Sequence, residues 1–536
     1  MQQNLTYMEL AIKNKLKVEK IALSETGKFS AIFIDYLNQK DTLQPYFNAY
    51  PTIDNFASII KERQFTREKR ITLHKVLTEQ YASLEKSELV QSNIHALEFD
   101  KTYTVTTGHQ LNIFTGPLYF IYKIITTINL AKELKAKYPD CHFVPVYWMA
   151  SEDHDFEEIS YFNLFGKKYT WETDQKGAVG KFRPQSLSEV LGELPEAVEL
   201  FEKAYLDSGT LANAVRYYVN ELFGDQGLIV LDADHHDLKA EFTEVIVDDL
   251  FNHTPNTLAE AASTQLGSLG YTTQIYPRHI NHFHLNTNHR ERIVREDGVF
   301  KVLNTDLKFS EEEIKTMIAE QPETFSPNVV LRPLYQETIL PNLAYIGGPS
   351  EVAYWLQLKG IFDHYKTDFP LLVPRNFALY LDGPNLRRLG KINIRATDLF
   401  KPTAELKELE LKSASTNETE LNKELEHLKE VFKSIEEKSI AIDKSLKGFI
   451  GAMESKVFKD MDNIQKRLKK AEENNHETAM GHIDNLKAKL FPNGSLQERH
   501  DNFLNFYLNN PNFIKDIQGT FDPLDFRFLL LSEEAE

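Results

Sequence analysis

The sequence predicts an α/β protein, a parallel-sheet core with connecting insertions, followed by a C-terminal α-helical coiled-coil domain. Three observations carry this reading. Between about residues 100 and 380, short apolar runs end in polar or glycine-containing clusters and are often followed by helical patterns. No proline lies between Pro402 and Pro492, although the chain has 21, so a long helix can run there unbroken. Leu425, Phe432, Ser439, Leu446 and Met453 recur every seven residues, and Leu428, Ile435, Ile442 and Phe449 follow the first four by three. That is a coiled-coil seam. At about 150 residues per domain, 536 residues also exclude one compact core.

In chain order, residues 1–95 carry helical periodicities at 29–37 and 71–84 and no chemical motif, so they read as a helical segment packing on the core. The core spans 96–380. Its candidate strands are 103–107, 143–149, 228–231 and 371–373, and residues 117–137 read as a helix with proline in its first turn. Strand, glycine turn and helix open a βαβ unit. Insertions are expected near 163–225 and 255–330, each with a hairpin signal, at 165–182 and at 283–303 around Glu296-Asp297-Gly298. The helical domain spans 381–495. After Met453 its apolar set shifts phase by one residue, which predicts local unwinding, and a second helix at 478–490 could fold back after the break at 472–475. Residues 496–536 form a tail packing on the core, with an edge strand at 526–531.

Composition excludes several classes. Lys and Arg number 61 against 79 Asp and Glu, a formal charge of −18, which disfavours a broad grip on nucleic acid or an anionic membrane. The one cysteine, Cys141, cannot form an internal disulfide, and it reads as a buried residue at the start of a strand rather than a nucleophile. The first 18 residues show no signal-peptide pattern, and no apolar run is long enough to span a membrane. A cytoplasmic protein is the expectation.

Open α/β sheets bind ligands outside the carboxyl ends of their strands. The first candidate strand ends in Gly108-His109-Gln110 and runs through Asn112, Thr115 and Gly116 into the helix, as an anion site would; a plain β-to-α turn with His109 as cap also fits. The second ends in Asp153-His154-Asp155, able to act as general base, to hold magnesium, or simply to cap a helix. The third ends in Asp232-Ala233-Asp234-His235-His236-Asp237, and the fourth in Pro374-Arg375-Asn376. Further on, Arg332 and Gln336 precede Gly347-Gly348-Pro349, read as a loop into a helix that carries Glu351 and Tyr354. There Arg332 could clamp a carboxylate and Glu351 accept an amine. His279, His282, His284 and His289 invite a metal reading but fit surface or hairpin positions better, since no cysteine or H-E-x-x-H accompanies them.

Residues 107–119 (TGHQLNIFTGPLY), 144–159 (VPVYWMASEDHDFEEI), 332–357 (RPLYQETILPNLAYIGGPSEVAYWLQ) and 370–375 (PLLVPR) resemble the bacillithiol biosynthesis cysteine-adding enzyme family, and with the order of core then coiled coil the resemblance spans nearly the whole chain. It implies a Rossmann-like core similar to class I aminoacyl-tRNA synthetases and a homodimer through the coiled coil. It further implies a ligase that adds L-cysteine to the amine of D-glucosaminyl malate. Amide formation from a free carboxylate needs activation, so ATP is expected as co-substrate, with ATP or ADP bound and Mg2+ as companion ion. His109 would then stabilise charge on a transferring phosphate, Asp153, His154 or Asp155 would serve as base or magnesium ligand, and Arg332 or Arg375 would bind malate carboxylates. No K-M-S-K-S loop is recognisable, which leaves acyl adenylate and acyl phosphate both open. A non-catalytic nucleotide-binding scaffold and a synthetase-like tRNA-binding protein are the competing classes, the second opposed by the acidic charge.

Overall fold

The computed structural model describes residues 16–415, 417 and 419–533; residues 1–15, most of the stretch read for a signal peptide, lie outside them. The chain divides into two compact units. Of the described residues, one unit holds 16–379 together with 497–529, and the other those of 380–496 together with 530–533. No helix among the described residues is long and apolar enough to cross a membrane.

The first unit is built on five parallel strands, β1 (Thr102–His109), β2 (His142–Met149), β3 (Ile229–Asp232), β4 (Asn342–Gly347) and β5 (Leu371–Pro374). Their spatial order is β3-β2-β1-β4-β5. This is the doubly wound Rossmann-like arrangement, in which the winding reverses between β1 and β4 and a crevice opens at their carboxyl ends. β4 is the one strand of this sheet that the sequence reading did not pick out; it read only Gly347-Gly348, at the end of this strand, as a loop into a helix. Every residue of β1 is buried, and three of its four threonines have hydroxyl partners on β4: Thr104 and Thr106 donate to Asn342 Oδ1 at 3.1 and 2.8 Å, and Thr107 donates to the Ile346 carbonyl at 2.9 Å. Polar pairing thus fixes register where apolar alternation does not exist.

Helices α1 (Arg67–Gln80) and α2 (Glu88–Ala96) precede β1, each capped by its own N-terminal hydroxyl, Thr66 and Ser87. Helix α3 (Tyr119–Lys137) follows β1, and α4 (Pro349–Trp355) follows β4. The first insertion carries the hairpin Tyr161–Leu164 with Lys167–Thr170. The second forms a five-stranded antiparallel sheet, in which Arg290–Glu296 turns into Val299–Val302 through Asp297 and Gly298, both at positive φ as a tight hairpin requires. The tail strand Phe528–Glu533 lies between Leu16–Ile21 and Phe377–Leu381 and so is central to its three-stranded sheet, not at an edge.

The second unit contains α5 (Asn422–Ile442), α6 (Leu446–Asn475) and α7 (Glu477–Leu490). The unbroken helix expected across the heptads is interrupted at 443–445. Asp443 is extended and its carboxylate accepts the Ser445 N–H at 2.8 Å, a local bond that competes with helix. The heptads therefore belong to two helices that pack on each other, Phe432 meeting Phe458 at 6.5 Å between ring centres. Residues 472–475 remain helical, and α6 gives way to α7 at His476.

Candidate functional site

A cavity of about 740 Å3 opens at the carboxyl ends of β1, β2 and β4, within the size range of small-molecule sites. At its floor, Lys123 on α3 lies 2.5 Å from Glu351 on α4 and donates to the Gly108 carbonyl at 2.8 Å. Glu351 also accepts from Tyr345 Oη at 2.6 Å and from the Gly348 N–H at 2.7 Å. Burial opposes its ionisation, yet Lys123, Tyr345 and Gly348 together hold it down at about 2. The two glycines let these groups meet, since a Cβ on Gly108 would lie 3.2 Å from Tyr345 Oη and one on Gly348 3.2 Å from Glu351 Oε2.

His109 stacks on Tyr119 with ring centres 5.2 Å apart and meets Phe120 edge-on. Burial, and then the Lys123 cation, push its imidazole down to about 3, so it is neutral at physiological pH. Its buried Nε2 has no hydrogen-bond partner. Arg332 rests over Trp148 and Tyr345, with guanidinium-to-ring distances of 5.8 and 5.4 Å; Nη1 donates to Gln336 Oε1, and Nη2 is buried and unpartnered. Among the residues lining the cavity, His109 Nε2, His282 Nε2, Arg332 Nη2 and Arg375 Nε are buried without a hydrogen-bond partner.

At the end of β2, Gln110 donates to Asp153 at 3.1 Å and to Glu158. Burial raises the Asp153 carboxyl, but Arg290, Gln110 and the N–H groups of His154 and Asp155 outweigh it and keep it below the ordinary range. Arg290 is held by Ser326 Oγ and the Pro327 carbonyl and approaches His154 Nδ1 at 3.0 Å. A guanidinium only donates, so Nδ1 accepts and the proton of neutral His154 sits on Nε2. Burial and Arg290 both lower His154. Asp155 caps the short helix Phe156–Ile159.

The cavity therefore gathers Gly108, His109, Gln110, Asp153, Arg332, Gly348, Glu351, Tyr354 and Arg375. Asn112, Thr115, Gly116, Gln336, Gly347, His154 and Asp155 do not line it. The glycine turn faces elsewhere: Asn112 Nδ2 bonds the Glu158 carbonyl, and Asn502 Nδ2 binds the carbonyls of Phe114 and Gly116. Arg375 is occupied by Glu498 at 2.6 Å and by its own neighbour's carbonyl. Sequence reasoning missed Lys123, whose signal was a lone charge inside an apolar helix, and Arg290, Arg292, Arg278 and Arg499, which only the fold brings to the cavity. Among the described residues, Arg278, Arg292, Arg332 and Arg499 line it with no carboxylate within ion-pair distance, although the Glu351 charge also acts on Arg332.

Four strand-end carboxylates are already matched, Glu152 by Lys239, Asp153 by Arg290 and Gln110, Asp234 by Lys181 and Glu351 by Lys123, while Asp155 caps a helix and Asp232 accepts from Ser151. They do not fit a preassembled magnesium site. Of the histidines in the second insertion, His282 lies against Asp249 at 2.8 Å and His284 contacts His289 at 2.9 Å; both His282 and His284 are buried in the hairpin strand rather than on the surface. Cys141 is half-buried at the opposite end of β2 from the cavity, and burial raises its thiol.

A family model described as "Bacillithiol biosynthesis BshC, N-terminal Rossmann-like domain" matches residues 16–376, and one described as "Bacillithiol biosynthesis BshC, C-terminal coiled-coil domain" matches residues 378–533. Similar proteins, each named "Putative cysteine ligase BshC", come from Flavobacterium psychrophilum (43% identical; 95% of this chain, 98% of the relative), Cytophaga hutchinsonii (40%; 96% and 99%) and Bacillus cereus (30%; 92% and 95%).

Proposed function

The chain belongs to the bacillithiol biosynthesis BshC family, and from that premise we propose that it is a ligase joining the carboxyl group of L-cysteine to the amine of D-glucosaminyl malate. The observation that carries this reading is a cavity at the switch point of the sheet with four guanidinium groups, Arg278, Arg292, Arg332 and Arg499, that have no carboxylate of their own. Such a lining suits substrates bearing several negative charges, as the two malate carboxylates and a nucleotide polyphosphate do.

The cysteine carboxylate attacks the α-phosphorus of ATP and expels pyrophosphate to give an acyl adenylate, or attacks the γ-phosphorus and expels ADP to give an acyl phosphate; the sugar amine then attacks the acyl carbon, loses a proton and expels AMP or phosphate. Arg332 Nη2 binds an anionic oxygen. His109 offers Nε2 as a neutral hydrogen-bond partner, and Asp153 orients the amine. The chain works as a homodimer through its coiled coil. Purified protein supplied with L-cysteine, glucosaminyl malate and ATP is expected to yield cysteinyl-glucosaminyl malate by mass spectrometry, with ADP or AMP reporting the intermediate. Absence of that product with every nucleoside triphosphate would overturn the reading.

A further inference from the structure

Away from the cavity, His74 on α1, His95 on α2 and Glu98 just beyond α2 bring three donor atoms within 4.8 Å of one another. His74 Nδ1 lies 3.5 Å from Glu98 Oε1, and His95 Nδ1 lies 3.3 Å from Glu98 Oε2. A charge-assisted hydrogen bond would draw these atoms to about 2.7–2.9 Å. A tetrahedral ion with bonds of about 2.0–2.2 Å instead sets its ligands roughly 3.3–3.5 Å apart. Each imidazole faces a different oxygen of Glu98 without a close hydrogen bond, and the three groups, offering one donor atom each within 4.8 Å, are near enough for small side-chain rotations to bring them round one ion.

We propose that His74, His95 and Glu98 bind one divalent ion of the zinc type. Two imidazoles and a carboxylate suit borderline transition metals, whereas magnesium and calcium demand oxygen ligands throughout. The side chains are 28%, 66% and 33% exposed, so an ion can reach them, and three protein ligands leave the fourth position to water. Ring packing sets the imidazoles, His95 lying edge-on to Phe99 at 5.2 Å and to His74 at 6.3 Å.

The position explains what the ion does. One turn before His74, Arg70 donates to the carbonyls of Leu97, Asp100 and Thr102, so α1 already grips the segment that leads into β1. The ion clamps the other side of that corner, at the end of the sheet remote from the cavity. It is a structural site, independent of the ligase reading.

Full-length protein freed of metal by a chelator is titrated with Co2+ by visible absorption and with Zn2+ by calorimetry. The expected result is one equivalent bound with a Co2+ ligand-field band, a zinc-dependent rise in thermal midpoint, and loss of both in His74→Ala and His95→Ala, each weakening affinity at least about tenfold. Since those positions are solvent-accessible, the metal-free midpoints of the variants should match the wild type. Because His284 and His289 form a second imidazole pair, the His284→Ala/His289→Ala variant is run alongside and should bind as the wild type does. No binding by the wild type overturns the proposal, and so does binding that survives in His74→Ala/His95→Ala or disappears in His284→Ala/His289→Ala.

Discussion

Arg332 Nη2 and His109 Nε2 are desolvated without an internal partner, and each omission makes a measurable claim. A guanidinium that meets a ligand anion contributes about 1.5–3 kcal/mol through a charged hydrogen bond, so Arg332→Ala should weaken an anionic substrate roughly 10–100-fold. Calorimetry with glucosaminyl malate and with ATP, run separately, tells which substrate Arg332 holds; unchanged affinity for both would remove it from the site. His109 has its folded-state value lowered to about 3 from an ordinary 6.5, so the folded protein refuses a proton that the unfolded chain accepts. Its stabilising contribution is complete above about 6.5 and is lost as pH falls toward 3. Between pH 7 and 5 this amounts to about 2 kcal/mol, and denaturant unfolding of His109→Asn should lose about that much of the wild-type drop. Lys123 and Glu351 argue together. Lys123→Met strands a buried carboxylate and should cost about 3–5 kcal/mol, whereas Lys123→Met with Glu351→Gln should cost clearly less. Equal losses in single and double variants would show that packing rather than charge holds the floor.

At the scale of elements, the strands ending in chemistry were legible because apolar runs stop at polar or glycine-containing clusters, and β1, β2, β3 and β5 all fall on runs read that way. β4 was not, because its glycine pair before Pro349 reads equally as a loop, and its strand character comes from hydrogen bonds to β1 and β5 that no local pattern encodes. Site residues divide on the same line. His109, Gln110 and Asp153 end strands, so position predicted them, while Asn112 follows the same strand yet donates to the Glu158 carbonyl, and the Gly116 carbonyl accepts from Asn502, nearly 400 residues further on. Arg499 and Arg290 reach the cavity from the tail and from an insertion. The helical unit shows the converse limit. A heptad pattern states which face is apolar and says nothing about where the chain reverses, and three residues at 443–445 reverse it.

At the scale of the whole molecule, the two halves are stabilised differently. The first unit buries every strand of its parallel sheet almost completely, whereas α5 has no buried residue and α6 only Glu472. Val431, Ile435, Phe449, Met453, Ile464 and Leu468 stay exposed, at 39–60%, along a hairpin whose longer helix runs 30 residues, roughly 45 Å. On α6, Phe449 and Met453, then Ile464 and Leu468 eleven residues further on, are spaced to share one face that can meet a second helical surface, and an open apolar stripe of that length marks an interaction site. A second copy of the same hairpin supplies a matching stripe through a two-fold axis. The wild type should therefore sediment as a dimer at micromolar concentration. Phe449→Glu with Met453→Glu places two charges at seam positions and should give a monomer with unchanged helical circular dichroism, because neither side chain is buried within the chain. A wild type that sediments as a monomer, or a double variant that remains dimeric, would move the interface off the hairpin.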